Sequence, residues 1–593
     1  MTPENLNNLR HTLAHILAQA VQESFQGVQL GIGPTTQHGF YYDFDNATIT
    51  AEHLKTLEEK MKEIVKRNLE MKHEQWDIQK AYDYFSQKNE PYKLDLINEL
   101  KNNGETKVGI AFTGDEFVDL CKGGHIQNTQ HIKTNAFQIT HTAGAYWRGD
   151  ENNQMLTRVY GVAFENKEQL KAHNQKIADA KERDHRKLGA ELDLFTFSPM
   201  VGAGLPLFTP KGTAMRESLL LFLWELSQQY GYEKVTIPHI TKLELYETSG
   251  HADKFKDEFF YVKGAQSKQE FVLKPMNCPH HAQIYLAKPR SWKELPIRYT
   301  ETTVQYRDEK PGELLGLSRV RAFNVDDAHL FCRPQDIKQE VSNIVKIIES
   351  FYSVLGMYKQ GESFKVSLSV RDSANLEKYL GSDENWNLAE QYLEDVAQEH
   401  NLNATRMEGE AAFYGPKLDF MFEDALGREW QLATAQIDFV QPQRFGLAYA
   451  DQNGTKQTPV MIHRAISGSL ERFMSVLIEH FGGRFPLWLS PVHAFILPIS
   501  EKYNEYARSI HAQLQNNNIR SQVQDQDENL GKKIRIGETQ KIPYLIVVGE
   551  KEQNDQTISV RVTHHGKNTQ STTLQEFITQ TTQLIHNRSN EYS

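Results

Sequence analysis

A polar segment at residues 163–190 divides this 593-residue chain into parts that are expected to fold around separate cores. Its sequence, AFENKEQLKAHNQKIADAKERDHRKLGA, is rich in Lys, Glu, Ala and Gln, a composition typical of an exposed connecting helix. The length suits about four domains of roughly 150 residues each. We therefore expect four regions, at residues 1–162, 163–190, 191–487 and 488–593.

The first and last regions differ in their patterns. The first begins with a helical stretch and continues into the β-like stretches GFYYDFD and AFQITHTAGAYWRGD. In the last, the apolar stretches VHAFILPI, IPYLIVVG and TISVRV alternate with amphipathic helices. This alternation predicts a small α/β domain with a largely parallel sheet.

Composition excludes several classes of protein. No stretch approaches the roughly 18 uncharged apolar residues of a membrane span, and the start, MTPENLNNLRHTLAH, lacks the pattern of a signal peptide. Three cysteines cannot form a disulfide framework, which predicts a cytoplasmic protein. The net charge of −11 argues against a bulk nucleic-acid binder but does not exclude local basic patches.

One of the three cysteines stands in LKPMNCPHHAQIYLA, residues 272–286. A lone cysteine is usually a small buried apolar residue. Cys278 could equally be a nucleophile or a metal ligand, and His280 and His281 are its obvious local partners. The residues alone leave these three interpretations open.

The segment ETTVQYRDEKPGELLGLSRVRAF carries a second group of chemically active residues. Its spacing predicts Arg307 and Glu309 on one face of a strand, with Arg319, Arg321 and Phe323 on a returning strand. A rigidly held arginine suits a phosphate because its planar fork donates two hydrogen bonds. Glu309 could accept from an adenine amino group, and Phe323 could stack on its ring. The alternative is a hairpin with surface salt bridges.

Two further segments predict helices. Residues 213–230, TAMRESLLLFLWELSQQY, form an apolar helix, and the strand after it is interrupted by Pro238, which indicates a sheet edge or an interface. In HRAISGSLERFMSVLIEHF, Leu470, Phe473, Leu477 and Phe481 recur at helical spacing and are expected in the core. Arg472 lies on the opposite side of that helix, available to a ligand.

The segments GYEKVTIP, YRDE and GSLER, in this order, resemble the three motifs of class II aminoacyl-tRNA synthetases. With KPMNCPHH, DDAHLFC, AAFYGPKLDF and VMIHRAISGS added, essentially the whole chain resembles the threonyl-tRNA synthetase family. The resemblance implies an α+β editing domain, a catalytic antiparallel β-sheet flanked by helices, and a C-terminal α/β anticodon-binding domain. It also implies a homodimer that activates threonine with ATP and transfers it to tRNA(Thr).

The resemblance assigns residues to each catalytic site. The implied ligands of one zinc ion are Cys278, His329 and His463, and a thiolate with two imidazoles is an open zinc set that leaves a position for substrate. The implied contacts to ATP, which would bind with Mg²⁺, are Arg307, Glu309, Arg319, Phe323, Gln431 and Arg472. The implied threonine contacts are Asp327, Tyr414 and Gln436, and Pro238 is placed at the dimer interface. Neither His280 nor His281 is a ligand in the family, and Cys332 is interpreted as packing.

The zinc has a physical rationale. A hydrophobic pocket rejects an isostere that differs by a hydroxyl only about 100-fold, so valine would compete with threonine. A Lewis-acid ion that binds the amino group and the hydroxyl together excludes valine. Serine has both groups and lacks only a methyl, worth roughly 1–3 kcal/mol. A second, hydrolytic site is therefore expected.

The first region offers residues for that site. His11 and His15 are four apart, hence neighbours on one helix face, and VDLCKGGHI adds Asp119, Cys121 and His125. Metal binding is a reasonable interpretation of these residue types.

A zinc protease is excluded because Thr12 stands where its general base, a glutamate, would be needed. The resemblance implies instead an editing site that hydrolyses seryl-tRNA without an obligatory metal, with Lys93 as a further candidate. Histidines satisfied inside a small domain are the structural alternative.

From residue 490 onward, 11 basic and 11 acidic residues give no electrostatic case for RNA binding. The resemblance supplies one, because Arg535, Glu552 and Arg561 fall where the family reads anticodon bases, whose unstacked edges Arg and Glu can recognise. The departures from the family pattern are Leu315, Ala322, Val325 and Asp527. The chain begins almost at His11, so the small ubiquitin-like domain that precedes the editing domain in many relatives is expected to be missing.

Two other classes of function are compatible with parts of the sequence. An RNA-binding relative without catalysis would be expected to have lost Arg307 or Arg472, and both are present. If the protein were a zinc hydrolase, the synthetase-like residues would reflect only its descent from a synthetase and not its activity.

Overall fold

The computed structural model describes residues 2–266, 269–359, 364–563 and 569–590. The chain divides into two compact units, residues 1–178 and 179–593. Among the described residues, none of the helices has both the length and the apolar character that a membrane crossing requires.

The first unit is a mixed α+β structure, as the sequence predicts. Its helices are α1 (Pro3–Ser24), α2 (Leu54–Lys66), α3 (Ile78–Gln87) and α4 (Pro91–Asn102). Its strands are β1 (Gln29–Leu30), β2 (Gly39–Asp45), β3 (Met71–Asp77), β4 (Lys107–Thr113), β5 (Phe117–Leu120), β6 (Phe137–Tyr146) and β7 (Met155–Ala163). They form two antiparallel sheets, in the orders β1-β2-β7-β6 and β3-β4-β5.

Helix α1 begins where local chemistry favours it. Thr2 caps it by accepting from the backbone N–H of Asn5, and Pro3 occupies the first helical position, where no N–H is needed. Its apolar residues, from Leu9 to Val21, are buried in the core of this unit. Burial of this face fixes the position of His15, which lies on the same side.

The connecting segment was predicted as one helix over 163–190, which is wrong in detail. It forms α5 (Lys167–Arg183) and α6 (His185–Glu191), interrupted at Asp184. The Asp184 carboxylate accepts from the backbone N–H of Arg186 at 2.8 Å and so caps a new helix. An aspartate that competes for backbone donors in this way favours a helix start over a helix interior.

The central region contains helices and strands around one large sheet. Its helices are α7 (Pro210–Gln229), α8 (Glu244–Ser249), α9 (His251–Phe255), α10 (Cys278–Leu286), α11 (Ile337–Val354), α12 (Asp383–Glu399), α13 (Val440–Arg444) and α14 (Leu470–Phe481). Its strands are β8 (Phe195–Thr196), β9 (Leu207–Phe208), β10 (Glu233–Lys234), β11 (Ile240–Lys242), β12 (Tyr261–Val262), β13 (Phe271–Leu273), β14 (Ile297–Tyr306), β15 (Ala322–Cys332), β16 (Phe364–Val370), β17 (Thr405–Glu408), β18 (Lys417–Glu423), β19 (Glu429–Asp438), β20 (Tyr449–Ala450), β21 (Lys456–Gln457) and β22 (Val460–Ser469).

The large sheet has eight strands in the order β10-β14-β15-β22-β19-β18-β16-β17. Every pair is antiparallel except the two outermost, β10–β14 and β16–β17. Residues of α7, α11, α12 and α14 share one core with the sheet. This confirms the predicted antiparallel sheet flanked by helices. Leu470, Phe473 and Leu477 are fully buried in this core, whereas Phe481, which was also expected there, is only partly buried.

The strands that carry the YRDE segment are shorter than the sequence predicted. Strand β14 ends at Tyr306, so Arg307 and Glu309 lie just beyond it, and Arg319 and Arg321 precede β15. The backbone N–H of Arg307 still donates to Arg321 O at 2.9 Å, whereas that of Glu309 turns back to Arg307 O. Pairing therefore ends one residue after the strand. The edge prediction is confirmed, because β10 is an edge strand and Pro238, between β10 and β11, is exposed.

The last region forms a separate five-stranded sheet with helices α15 (Asn504–Asn516), α16 (Leu530–Thr539), α17 (Glu550–Asp555) and α18 (Leu574–His586). Its strands are β23 (Ala494–Pro498), β24 (Ser521–Val523), β25 (Tyr544–Val548), β26 (Thr557–Val562) and β27 (Thr569–Thr573), in the order β24-β23-β25-β26-β27. The predicted largely parallel sheet is wrong: two strand pairs are parallel and two antiparallel. Only the short α17 separates β25 from β26, and it is too short for the usual crossover of a dozen or more residues.

Candidate active sites

A cavity of about 300 Å³ lies against the large sheet. Residues of β14, β15, β19, β22 and α14, and the loop before α10, line it. It brings together all twelve residues that the family resemblance assigned to zinc, ATP and threonine, namely Cys278, Arg307, Glu309, Arg319, Phe323, Asp327, His329, Tyr414, Gln431, Gln436, His463 and Arg472. Residues from 278 to 472 thus converge on one space.

Cys278, His329 and His463 form a compact group in this cavity. Cys278 is the first residue of α10, whereas His329 and His463 lie directly opposite each other on β15 and β22. One ligand atom from each residue lies within 4.8 Å of those of the other two, and all three residues are buried. The antiparallel register therefore places the two imidazoles next to each other, with ring centroids 4.8 Å apart, and α10 brings the thiol to them.

A hydrogen bond from a neighbouring side chain orients each of the two histidines. The His463 Nε2–H donates to Asp438 Oδ2 at 2.9 Å, which leaves Nδ1 as its available ligand atom. The Nδ1 atoms of His329 and His281 share a hydrogen bond of 2.8 Å. Burial holds the pKa of His329 well below its usual value and raises the pKa of the Cys278 thiol. The imidazole is therefore neutral, as a ligand must be, and the thiolate needs a nearby cation.

A carboxylate and an amide stand beside this group. Asp327 Oδ2 accepts from Asn277 Nδ2 at 3.0 Å and from Gln305 Nε2 at 3.4 Å, and burial raises the pKa of Asp327 to about 6. Gln436 donates from Nε2 to a backbone carbonyl at 3.0 Å. The Tyr414 ring centroid lies 5.1 Å from that of His463. Hydrogen-bonding groups and one aromatic ring thus enclose a small polar space next to the three ligand residues.

The other end of the cavity is rich in arginine. The Arg307 guanidinium lies 5.3 Å from the centroid of the Phe323 ring, and its buried Nε has no hydrogen-bond partner among the described residues. Arg472 donates from Nε to Ser318 O at 3.0 Å and lies 5.2 Å from the Trp430 ring. Two guanidiniums on aromatic faces give this end the charge and planarity that suit phosphate groups and a base.

Glu309 and Gln431 already have protein partners. Glu309 Oε2 accepts from Arg319 Nε at 2.8 Å, and Gln431 donates from Nε2 to Asp419 Oδ1 at 2.6 Å. Arg319 also reaches Glu313, at 2.9 Å. A nucleotide that used Glu309 and Arg319 separately would have to replace their ion pair.

The first unit contains a second group of the same residue types. His11, His15, Cys121 and His125 each place a ligand atom within 4.8 Å of the others. Cys121 Sγ lies 3.2 Å from His125 Nε2 and 3.5 Å from His11 Nε2. Burial lowers the pKa of His125 to about 2 and raises the pKa of Cys121 to about 11. The group is therefore neutral at physiological pH.

A buried charged pair lies beside these four residues. Lys93 Nζ is 2.5 Å from Asp119 Oδ1, and both side chains are 2% exposed. The Tyr42 hydroxyl donates to Asp119 Oδ2 at 2.6 Å and accepts from Lys93 Nζ at 2.9 Å. His15 Nδ1 lies 3.7 Å from the same carboxylate and has no hydrogen-bond partner among the described residues. All six residues assigned to editing therefore meet at one place.

The residues assigned to the anticodon lie on different elements of the last region. Arg535 is exposed on α16. Glu552, on α17, accepts from the Ser559 hydroxyl at 2.8 Å and from a backbone N–H, and Arg561 on β26 pairs with Glu538. They do not form one cluster through direct contacts of their own.

Sequence reasoning missed several side chains at both sites. Gln305 could have been found, because it stands two residues before Arg307 and so faces the same side of the strand. Asn277, His281 and Asp438 act through distant partners, and no local pattern links them. Tyr42, inside GFYYDFD, resembles any other strand aromatic.

Three family models match the chain. Residues 260–481 match the tRNA synthetase class II core domain (G, H, P, S and T). Residues 493–584 match the anticodon binding domain. Residues 108–160 match the threonyl and alanyl tRNA synthetase second additional domain.

Individual proteins are similar over most of the length. The threonine–tRNA ligase of Cytophaga hutchinsonii is 45% identical over 578 residues, which cover 97% of this chain and 88% of that protein. The threonine–tRNA ligase of Thermus thermophilus is 46% identical over 573 residues, 94% of this chain and 86% of that protein. A crystal structure described as the RNA binding domain of threonyl-tRNA synthetase from Cryptosporidium parvum is 35% identical, covers 69% of this chain and 99% of its own, and superposes with a TM-score of 0.64.

Proposed function

The chain belongs to the threonyl-tRNA synthetase family, and from that premise we propose which of its residues carry each step. The enzyme is a class II aminoacyl-tRNA synthetase that charges tRNA with threonine and carries the family's editing domain.

Cys278, His329 and His463 hold one zinc ion. The donor set fits, because one thiol and two neutral imidazoles converge within 4.8 Å and Asp438 orients one of the imidazoles. Zinc bound there would supply a Lewis acid for the amino group and the hydroxyl of threonine. Asp327, beside His329, accepts a hydrogen bond from the hydroxyl, and Tyr414 and Gln436 enclose the side chain. Valine, without a hydroxyl, cannot donate this hydrogen bond to the buried carboxylate, which costs binding energy.

The arginine-rich end binds ATP with Mg²⁺. Arg307, whose buried Nε has no partner among the described residues, contacts the α-phosphate, and Arg319 and Arg472 hold the other phosphates. Adenine stacks on Phe323, and Gln431 is a further contact. When ATP binds, Arg319 leaves Glu309 and contacts the phosphates, and Glu309 then accepts from the adenine amino group. The Arg319–Glu309 ion pair is thus replaced by two charge-assisted contacts to ATP.

The first unit hydrolyses mischarged seryl-tRNA. His11, His15, Asp119, Cys121 and His125 orient a water and hold the terminal adenosine of seryl-tRNA, with Lys93 fixing Asp119. Burial lowers the pKa of His11, His15 and His125, so each imidazole stays neutral and can both donate and accept a hydrogen bond. No single residue is assigned as the base, because hydroxyls of the tRNA ribose can share in the proton transfer.

The remaining regions select the tRNA and assemble the enzyme. Arg535, Glu552 and Arg561 read the anticodon, and the four domains occupy 1–162, 163–190, 191–487 and 488–593. Two copies associate through the edge that carries Pro238 and β10, beside a cavity of about 400 Å³ formed by residues of α7 and β14. All three cysteines are free thiols, which suits work in the reducing cytoplasm.

The convergence of twelve predicted residues on one cavity carries this proposal. ATP–pyrophosphate exchange with threonine, serine and valine, alongside zinc analysis, tests it. We expect exchange with threonine, weaker exchange with serine, none with valine, and one zinc per chain. A zinc-loaded protein without exchange would indicate a hydrolase, and a protein with neither would indicate an RNA-binding relative.

A further inference from the structure

His185 and Glu479 form a buried pair behind the arginine-rich end of the cavity, and neither residue lines it. His185, at the start of α6, is 1% exposed, and Glu479, on α14, is 4% exposed. The His185 Nδ1–H donates to Glu479 Oε1 at 2.7 Å, and its backbone N–H reaches the same oxygen at 3.3 Å. The backbone N–H of Ala425 occupies Glu479 Oε2 at 3.1 Å. Glu479 therefore fixes the proton of His185 on Nδ1.

With Nδ1 protonated, His185 Nε2 is an acceptor, and it accepts the backbone N–H of Leu317 at 3.1 Å. Leu317 is fully buried but belongs to the loop between β14 and β15 rather than to a strand. A buried backbone donor must be paired, and here a side chain from α6 supplies the partner. The imidazole thus ties the loop to α6 and α14.

The next residues of this loop face the cavity. Ser318 O accepts from Arg472 Nε at 3.0 Å, and its hydroxyl lies 2.8 Å from that of Ser475 on α14. Arg319 follows and holds Glu309. Leu317 is therefore one residue before Ser318, which holds Arg472, and two residues before Arg319.

Gly316 supports the same contact independently. Its φ is +48°, and a Cβ built there would stand 2.3 Å from His185 Nε2 and 2.8 Å from Arg186 Cγ. The loop backbone therefore rests directly on the imidazole, at a position where a side chain cannot fit without displacing one of them.

The same neighbourhood has the residue types of a metal site, since Asp184, His185 and Glu479 lie close together. Their hydrogen bonds argue for another role. Both nitrogens of His185 are engaged, and Asp184 caps α6 and pairs with Arg186. No lone pair of the imidazole remains for a cation.

We propose that His185 is a positioning residue for ATP. It holds the loop at Leu317 so that Arg319 and Arg472 can contact the phosphates. This inference rests on the proposed assignment of the arginine-rich end to ATP. It predicts an effect on ATP that threonine does not share, because the loop does not touch Cys278, His329 or His463.

The test compares His185→Phe, which keeps a ring but accepts no hydrogen bond, with His185→Gln, whose amide oxygen can replace Nε2. We expect His185→Phe to raise the KM for ATP in pyrophosphate exchange about tenfold, with the KM for threonine within twofold and zinc unchanged. His185→Gln should recover most of the loss. If His185→Phe fails to fold, Gly316→Ala tests the same contact from the loop side and should raise the KM for ATP with His185 intact.

His493→Phe is the matched control. His493 is also fully buried, and its Nδ1 accepts a hydrogen bond from the backbone N–H of Arg520 at 3.1 Å. Neither residue belongs to the loop or to the groups assigned to ATP. His493→Phe should lower thermal stability and leave the KM for ATP unchanged. An unchanged KM for ATP in both His185→Phe and Gly316→Ala, or an equal rise in His493→Phe, would overturn the inference. If Arg472→Ala leaves ATP binding unchanged, the assignment of the cavity fails instead.

Discussion

The two groups of cysteine and histidine in this chain use nearly the same residue types in different surroundings. Cys278, His329 and His463 stand beside Asp438, which accepts from His463, from two backbone N–H groups and from an amide. In the first unit, the carboxylate nearest the histidines, Asp119, is paired with the Lys93 ammonium.

This difference decides which group favours a divalent cation. A buried ammonium close to His15 repels a second positive charge, and it neutralises the carboxylate that would offset one. At the group proposed to hold zinc, Asp438 contributes negative charge through its hydrogen bond with His463. Donor types alone do not distinguish a zinc site from an editing site, whereas the neighbouring charges do.

The largest effect is expected from Cys278→Ala, which leaves two neutral ligands. Zinc content and threonine activation should be lost together. Loss of a residue that hydrogen-bonds to a metal ligand lowers metal affinity or activity by up to roughly 100-fold, and loss of the ligand itself should lower both further. Metal analysis and pyrophosphate exchange measure both. Cys121→Ala is the matched control and should retain zinc and activation. Threonine activation at the wild-type rate in Cys278→Ala would refute the assignment.

The double variant His11→Ala with His15→Ala tests the other half of the comparison. Threonine activation should be normal, and hydrolysis of preformed seryl-tRNA should fall about 100-fold or more, the usual contribution of positioned acid–base groups. Deacylation of seryl-tRNA and its accumulation when serine is supplied provide the measurements. Hydrolysis as fast as in the wild type would place the editing site elsewhere.

Asp438→Asn tests whether the neighbouring charge matters. It keeps an oxygen that can accept from His463 but removes the negative charge, so zinc affinity should fall by about 10- to 100-fold. Competition with a chelator measures this affinity. The result would be uninformative if the variant unfolded, so thermal unfolding is followed in parallel. Unchanged affinity in a folded variant would break the electrostatic argument.

Arg561→Ala, in a region that holds neither group, should give the smallest effect. Charging of tRNA should weaken about tenfold, the value of one charge-assisted contact to a base, while threonine activation stays intact. The two reactions are measured on the same preparation. Equal damage to both steps would contradict the division of labour between the regions.

The family resemblance carried by the motifs implied the central antiparallel sheet and its flanking helices, and residues that it assigned, such as Arg307, His329 and Arg472, line one cavity. The ends of helices and strands were harder to predict, because single side chains or turns can interrupt a pattern that extends over many residues. Asp184 breaks the connecting helix, and the turn of Glu309 ends β14 early. Partners such as Asp438 and His185 act across 25 and 132 residues, through contacts that only the folded chain creates.

Zinc analysis of the purified wild-type protein shows how many of the cysteine–histidine groups hold a metal ion. Among the described residues, two groups combine cysteine with histidine, and we predict one zinc per chain, because the Lys93–Asp119 pair disfavours a cation in the first unit. Cys121→Ala should keep that one zinc, and Cys278→Ala should contain none. Two zinc ions per chain, or one that is lost in Cys121→Ala and kept in Cys278→Ala, would contradict the account.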